Sequence, residues 1–194
     1  EELHKTRLKA SEKLSDTVNK ELLDLNMKGV SFFIQTNKLD HLTSTGNSDV
    51  EYLSQISPKD PKRPIAKVAS GGELSRILLS LKKSVGQSDF PRTYLFDEVD
   101  TGVSGPTAEK VGRKLHTIAE GQQVICVTHL PQVAAFGDSH FYIQKSPAEN
   151  AVAMEVRDLK KQDRIKEIAR LISGEKITKN SLAHATELLE SCQA

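Results

Sequence analysis

The sequence predicts an α/β fold, a mostly parallel sheet with flanking helices, preceded by a long helix of the coiled-coil type. Two short apolar runs, residues 93–97 and 123–128, have the length of strands, and a helical segment lies between them. Strand, helix and strand in this order form a βαβ unit, in which the two strands are parallel. Strands of such sheets are almost continuously apolar because both faces are covered. We therefore expect these two strands to be buried neighbours.

The first predicted element is an amphipathic helix over residues 1–27, where leucines and Val18 recur mostly every three to five positions. The helix could pack against the rest of the domain. Alternatively, it is the end of a longer coiled coil that enters a globular head, an interpretation favoured by the absence of a capping signal. On the second interpretation the chain is part of a longer protein, and residues 28–194 form the head.

Two strands are predicted next, at residues 30–35 and 50–56, because both runs are rich in β-branched and aromatic residues. The polar stretch 43–49 is expected to separate them. Residues 57–67 then form a basic loop in which three prolines are expected to prevent regular structure. Its positive charges either contact phosphate groups or belong to a solvated connector; they are Lys59, Lys62, Arg63 and Lys67.

The remaining elements follow from helical spacing and from glycine and proline positions. A helix is predicted after residue 70, with one apolar face made of Leu74, Ile77, Leu78, Leu81 and Val85. The crossover helix begins at Gly105-Pro106 and ends at Gly121. A helical turn after Pro131, an antiparallel pair (140–145 and 152–159) and two helices separated by Gly174 (161–173 and 178–191) complete the prediction.

Composition excludes several classes of protein. The net charge is +1, so no general basic excess indicates nucleic acid, and any contact with DNA must be local or made by another part of the protein. The two cysteines match no metal-ligand spacing, and Cys126 lies in an apolar run typical of a buried thiol. A secretory segment and an apolar run of about 18 residues are both absent from the sequence. These features predict a soluble, cytoplasmic protein without a membrane partner.

The first candidate site residues are SGGE, residues 70–73, directly before a predicted helix. Gly71 and Gly72 would let a ligand approach the backbone closely, and the helix start offers free N–H groups to an anion. The same four residues would also suit an ordinary turn capped by Ser70. Phosphate binding therefore remains one of two interpretations for this segment.

The second candidate is the carboxylate pair Asp97 and Glu98, which ends the first apolar strand. The carboxyl edge of a parallel sheet is where α/β folds bind their ligands. Asp97 could hold Mg²⁺ through water, since this cation prefers carboxylate oxygens and keeps part of its hydration shell. Glu98 could polarise the water that attacks a γ-phosphate. The alternative is a pair of solvated acids at a strand end.

Two further segments complete the constellation. Residues 99–105 (VDTGVSG), with Asp100 and Gly102, form a polar loop that could pack against a second copy of the site or serve only as a connector. His129 follows the second apolar strand and would lie beside Asp97 and Glu98 if the two strands are neighbours. A neutral imidazole there could hydrogen-bond a γ-phosphate or fix the attacking water, although a histidine at a strand end can also be an ordinary surface residue.

These four motifs, in this order, resemble those of ABC-class ATPases, and within that class the SMC-like branch. SGGE is similar to the signature motif, YLFDE to the Walker B strand, VDTGVSG to the D-loop and VTHL to the switch-histidine loop. The stretches KVASGGELSR, LFDEVDTGVSG and VTHLPQVAA resemble still more closely the RecN family of bacterial DNA repair proteins. The resemblance covers nearly the whole chain and implies the C-terminal lobe of an ATPase head acting in double-strand break repair and recombination.

The resemblance also implies ATP and Mg²⁺ as cofactors and a division of labour between two heads. The resemblance assigns magnesium binding to Asp97 and hydrolysis to Glu98 and His129. It assigns nucleotide binding to Ser70, Gly71, Gly72, Glu73, Asp100 and Gly102. In a dimer of heads with ATP between them, residues 70–72 would face the partner's nucleotide, whereas Asp97, Glu98 and His129 would serve their own.

One required motif is missing from the sequence, the phosphate-binding loop G-x-x-x-x-G-K-[ST]. The resemblance places this loop in an N-terminal lobe, which together with a second head and DNA makes up the implied partners. We expect the chain alone to be inactive and to bind ATP at millimolar concentration or not at all. Two alternatives stay open: the head of another ABC or SMC-type ATPase, such as a transporter subunit or a chromosome-condensation protein, and a non-catalytic coiled-coil interaction module.

Overall fold

The helices and strands of the chain follow the predicted order. A computed structural model describes residues 1–67, 70–86, 90–148 and 151–193. The helices are α1 (Glu2–Asp24), α2 (Gly71–Val85), α3 (Gly105–Ala119), α4 (Pro131–Ala134), α5 (Lys161–Ser173) and α6 (Lys179–Gln193). The strands are β1 (Ser31–Thr43), β2 (Gly46–Gln55), β3 (Arg63–Pro64), β4 (Thr93–Phe96), β5 (Gln123–Cys126), β6 (Phe141–Ala148) and β7 (Ala151–Asp158).

The chain divides into two compact units. The first unit comprises Glu1–Val103 and Thr117–Val127, and the second comprises Ser104–His116 and Thr128–Ala194. Within the described part of the chain, no helix combines the length and the apolar character that a membrane span requires.

Helix α1 packs against β1 and α2 in the first unit. Val18 and Leu22 are fully buried on its inner face, and each such side chain stabilises the fold by about 1.5–3 kcal/mol. Asn19 joins the helix to β1: its side-chain N–H donates to the carbonyl of Phe32 (2.9 Å), and its oxygen accepts from the Phe32 N–H (2.7 Å). The predicted helix is confirmed, and its continuation into a coiled coil stays a prediction.

Strands β1 and β2 form an antiparallel hairpin that is longer than expected. Pairing runs from Ser31 opposite Gln55 to Thr43 opposite Gly46. The polar stretch 43–49 does not separate two strands, because most of it belongs to β2 and only two residues form the turn. Gly46 has a φ of +98°, a conformation that glycine adopts without steric cost and that allows this tight connection.

The expectation that prolines would keep residues 57–67 irregular is partly wrong. Arg63 and Pro64 form the short strand β3, which pairs antiparallel with β2. Ile65–Lys67 then form one turn of 3₁₀ helix. Proline is tolerated in β3 because this strand lies at the edge of the three-stranded sheet, where a missing N–H donor costs no ladder hydrogen bond.

Helix α2 is confirmed, but its buried face differs from the predicted one. Leu78 and Val85, placed on the apolar face, are 37% and 64% exposed. The buried residues are instead Gly72, Arg76, Ile77, Leu79 and Ser80. The helix is rotated relative to the expectation because the long polar side chain of Arg76 points inward, as described below.

Strands β4 and β5 are parallel neighbours, as predicted, with Phe96 opposite Cys126. The expectation that both strands are buried is wrong for one face of this pair. On that face Leu95, Ile125 and Val127 are 69%, 47% and 53% exposed. Parallel strands are apolar in sequence because proteins usually cover both faces. In the described part of this chain, the face that carries Phe96 is buried and the opposite face is exposed.

The second unit has a helical core and a separate hairpin. Ala135, Ile168, Ala169, Ala185 and Leu189 form the buried cluster, to which α5 and α6 contribute most residues. Strands β6 and β7 pair antiparallel, as predicted. Gly174, with a φ of +74°, ends α5 at the predicted position.

Candidate functional site

The carboxylate pair follows β4 directly, at the carboxyl edge of the β4–β5 pair. Asp97 and Glu98 are both exposed, and Asp97 Oδ1 accepts the N–H of Glu98 at 2.9 Å. Glu98 has a φ of +57°, in the left-handed region that costs a non-glycine residue about 1–2 kcal/mol. Strain of this kind is concentrated at functional sites, where it fixes a side chain in one direction.

The start of α2 lies against this strand end within the first unit. Ser70 is the N-cap of the helix, and its Oγ accepts the N–H of Glu73 at 3.4 Å. A Cβ at Gly71 would collide with Glu98 Oε2 and lie 3.5 Å from Glu98 Cδ. The Glu98 carboxylate thus occupies the space that a side chain at position 71 would need. Gly71 and the Glu98 carboxylate are therefore adjacent, and a side chain at position 71 would displace this carboxylate.

The second glycine of the motif is packed in a similar way. Gly72 is buried, and a Cβ there would lie 3.0 Å from Thr101 Cβ and 3.1 Å from the Thr101 carbonyl oxygen. Such a distance to a backbone atom cannot be relieved by moving a flexible side chain. The absence of a side chain at Gly72 therefore allows the loop after β4 to reach the helix.

Two polar residues of α2 that sequence reasoning did not single out hold the same loop. Ser75 Oγ donates a hydrogen bond to the carbonyl of Asp97 at 2.8 Å. Arg76 Nη1 donates to the carbonyls of Thr101 at 2.5 Å and Val99 at 3.4 Å. The spacing of Gly72, Arg76 and Ser80 by four residues, on what proves to be the buried face, is the signal that could have identified Arg76.

Asp100 and Gly102 lie in the loop that follows Glu98. Asp100 is only 2% exposed, and its carbonyl accepts the N–H of Val103 at 3.3 Å. Gly102 is exposed with a φ of +74°, which a residue with a side chain adopts only with strain. The contribution of both residues, and of Glu73, to nucleotide binding stays a prediction.

His129 lies in the second unit, exposed, two residues before α4. The premise of its predicted role is confirmed, because β4 and β5 are neighbours and the N–H of Val127 donates to the carbonyl of Phe96 at 3.0 Å. Its predicted position beside Asp97 and Glu98 stays a prediction.

The electrostatic environment of the strand end is set by its carboxylates. Burial raises the pKa of the Cys126 thiol to about 12, and the negative charges of Asp100 and Asp97 act in the same direction. Cys126 is therefore a protonated thiol at neutral pH and a poor nucleophile, consistent with the structural role predicted for it.

The donor set of the site fits a magnesium ion bound together with a nucleotide. Among the described residues, no group of three or more His, Cys, Asp or Glu side chains is arranged to hold a metal ion alone. Mg²⁺ commonly uses one or two carboxylates and takes its other ligands from water and phosphate oxygens. Exposed Asp97 provides such a carboxylate, so the residues present suit Mg²⁺ that arrives with phosphate.

Sequence comparison relates the chain to curated DNA repair proteins. It is 41% identical to the DNA repair protein RecN of Halalkalibacterium halodurans over 181 residues, which is 91% of this chain and 32% of that protein. It is 39% identical to RecN of Vibrio cholerae, over 97% of this chain and 34% of the relative. The chain thus spans about a third of the length of the curated relatives it matches. No protein-family model matches it.

Comparison of structures relates the fold to SMC head domains. An Smc head domain with a coiled coil and joint from Pyrococcus yayanosii superposes with a TM-score of 0.57 at 19% identity, over 87% of this chain and 30% of that one. A structure from work on ATP-driven dimerisation and DNA-stimulated activation of SMC ATPases superposes with a TM-score of 0.51 at 18% identity, over 89% and 99%. The predicted fold class, an α/β lobe of an SMC-type head with a parallel sheet and flanking helices, is confirmed.

Proposed function

The chain belongs to the RecN family of DNA repair proteins, and from this premise we propose that it forms the C-terminal lobe of an SMC-like ATPase head. The complete protein would act in double-strand break repair and recombination, in the cytoplasm at the nucleoid. The observation that carries the proposal is the contact between the start of α2, at Gly71, and the strand-end carboxylate of Glu98. This contact places an anion-binding helix start, proposed for the nucleotide of a second head, next to a carboxylate that can activate water at the chain's own nucleotide.

The residues of this chain would divide the work as follows. Asp97 holds the magnesium ion, and Glu98 orients the attacking water and accepts its proton. His129 donates a hydrogen bond toward the γ-phosphate, and residues 70–72 present backbone N–H groups to the nucleotide of a second head. When bound, Mg²⁺ and ATP supply the phosphoryl group and the positive charge that stabilises its transfer.

The site would be completed by a lobe that carries the phosphate-binding loop, since this chain has no Gly-Lys-Ser/Thr sequence of that kind. The exposed apolar face of β4 and β5, with Leu95, Ile125 and Val127, supports such a partner. A surface of this type is normally covered in a parallel sheet. We propose that the N-terminal lobe of the same protein covers it.

A comparison of the isolated chain with the full-length protein tests this function. In calorimetric titrations with Mg²⁺ and a non-hydrolysable ATP analogue, we expect binding to the full-length protein and millimolar or no measurable affinity for the isolated chain. The full-length protein should also form head dimers in sedimentation experiments when both Mg²⁺ and the analogue are present, and EDTA should abolish them.

Two results would contradict the proposal. Tight nucleotide binding by the isolated chain would mean that the site is not shared with another lobe. Failure of the full-length protein to bind ATP or to associate with it would favour the alternative of a non-catalytic interaction module.

Contact with DNA is proposed for the basic segment at residues 59–67. Lys59, Lys62, Arg63 and Lys67 are all exposed, and the Nζ of Lys62 also lies 3.9 Å from the centre of the Phe33 ring. Replacing Lys59, Arg63 and Lys67 together by glutamate should weaken DNA binding and make it less dependent on salt. Each lost phosphate contact reduces the slope of log K against log salt by about 0.9. Fluorescence anisotropy at several salt concentrations measures this slope, and an unchanged slope would place the DNA contact elsewhere.

A further inference from the structure

Side chains of helix α2 hold the loop after β4 through backbone carbonyls. Within residues 97–101, here called the strand-end loop, three backbone carbonyls accept hydrogen bonds from α2 side chains. Ser75 bonds to Asp97, and Arg76 bonds to Val99 and Thr101. The loop also closes on itself through the N–H of Thr101, which donates to the carbonyl of Glu98 at 3.1 Å. Helix α2 therefore fixes the backbone on both sides of Glu98.

Arg76 makes the most of these contacts, and it does so as a buried cation. Its side chain is 8% exposed, and its Nε has no hydrogen-bond partner among the residues that the structure describes. Burial lowers the pKa of the guanidinium, while the nearby carboxylates of Glu73 and Asp100 act in the opposite direction. An arginine remains charged under such conditions. Burying a charge costs free energy, so the Arg76 guanidinium is better suited to fixing the geometry of the loop than to stabilising the fold.

The packing around Arg76 leaves the loop little freedom. A Cβ at Gly72 would lie 3.2 Å from Arg76 Nη1, so the guanidinium passes over the second glycine of the SGGE segment to reach Thr101. On the other side of the loop, the Glu98 carboxylate lies against Gly71. The first turn of α2 and the strand-end loop are thus in contact at two successive glycines.

We infer that Arg76 is a positioning residue: from the helix that begins with Ser70-Gly71-Gly72, it fixes the strand-end loop and so the direction of Asp97 and Glu98. This inference rests on the proposed function, in which residues 70–72 contact the nucleotide of a second head. As a consequence, a nucleotide that displaces α2 would also displace the Glu98 carboxylate of the same chain. Arg76 is the mechanical link between the two ATP sites to which one head contributes.

Substitution of Arg76 in the full-length protein tests this link. Arg76→Gln removes the charge and one of the two carbonyl contacts, and we expect kcat for ATP to fall roughly 10²-fold, the effect of a misplaced catalytic group. The KM for ATP should stay within about twofold, since Arg76 does not touch the nucleotide. Arg76→Lys, which keeps a cation that can reach one carbonyl, should give an intermediate kcat. Millimolar guanidinium chloride should restore part of the activity of Arg76→Ala.

Hydrogen exchange provides a readout that does not depend on ATP hydrolysis. In Arg76→Gln, the backbone N–H groups of residues 99–103 should exchange faster, whereas those of β1 and β2 should keep their protection. Lys83→Gln is the matched control, because it removes a cation from the same helix at a residue with no role in the site. It should change neither kcat nor exchange.

The outcomes separate the inference from the function on which it rests. Wild-type kcat in Arg76→Gln, or a lower kcat with unchanged exchange in residues 99–103, would overturn the positioning role. A wild-type protein without ATPase activity would refute the proposed function, and faster exchange in the variant would then still support the structural link. If Arg76→Gln does not fold, the kcat of Arg76→Lys and the kcat of Arg76→Ala with and without guanidinium decide. Wild-type kcat in Arg76→Lys and in untreated Arg76→Ala would overturn the inference.

Discussion

Replacing Glu98 by glutamine is expected to lower the rate of ATP hydrolysis by the full-length protein by about 10²–10⁴-fold, the usual contribution of a general base. Glutamine has nearly the same shape and can still orient a water molecule, but it cannot accept the proton. ATP binding and ATP-dependent association of heads should remain, because these depend on residues elsewhere. The variant should therefore accumulate as a dimer with unhydrolysed ATP, measurable by sedimentation and by phosphate release in the same sample.

The positive φ of Glu98 makes glutamine a better replacement than glycine, because glutamine changes only the chemistry of the side chain. Glu98→Gln keeps the left-handed backbone and its cost, so the strand-end loop should retain its conformation. Glu98→Gly would remove both the carboxylate and the strain and is less suitable. Asp97→Asn is the matched comparison: loss of the carboxylate that we propose to hold Mg²⁺ should weaken Mg²⁺-dependent ATP binding, which Glu98→Gln should preserve. Hydrolysis by Glu98→Gln at the wild-type rate would exclude Glu98 as the base.

The order of elements and the position of the carboxylate pair could be predicted because each depends on local sequence. A βαβ unit is defined by two apolar runs and the helix between them, and β4, α3 and β5 appear where these runs predict them. Because parallel strands end at one edge, the location of Asp97 and Glu98 followed from the position of β4 alone. The start of α2 could be predicted because it too depends on local sequence, namely on Gly71 and Gly72 directly before an apolar periodic segment.

The contacts within the site could not be predicted, because they depend on how elements distant in sequence pack. Periodicity placed Leu78 on the buried face of α2, whereas the structure buries Arg76, whose partners lie more than twenty residues away in the strand-end loop. An arginine is usually predicted to face solvent, and here the carbonyls of Val99 and Thr101, together with the carboxylates of Glu73 and Asp100, offset the cost of its burial. The exposure of Leu95 could not be predicted for a similar reason. The apolar sequence of β4 indicates that something covers the strand, but it does not indicate which segment does so.

In the second unit, replacing Arg164 by methionine is expected to lower the local free energy of unfolding by about 2–4 kcal/mol. Arg164 lies on α5, is 8% exposed, and its Nη2 donates to the carbonyls of Ala134 (3.3 Å), Ala135 (3.0 Å) and Gly137. Methionine can fill the space of the aliphatic stem but removes the arginine donor from the carbonyls of Ala135 and Gly137, whereas the carbonyl of Ala134 still accepts the N–H of Gly137 at 3.3 Å. An unsatisfied buried acceptor costs about 1–3 kcal/mol. The loss stays below the upper limit of two such terms because the variant also avoids burying a charge.

Hydrogen exchange of the full-length protein measures this loss where it occurs. A decrease of 2–4 kcal/mol corresponds to roughly 30-fold to 10³-fold faster exchange by local opening, which we expect in α4 and in the segment that follows it. Lys166→Met is the matched control on the same helix: its Nζ pairs with Asp163 at 3.2 Å, and both side chains are more than 60% exposed. Such surface pairs contribute about 0–1 kcal/mol, so exchange in α4 should change little. Equal exchange in the two variants would mean that Arg164 does not hold the chain that follows His129, and that this segment keeps its conformation through the apolar contacts of Ala135 with the buried cluster.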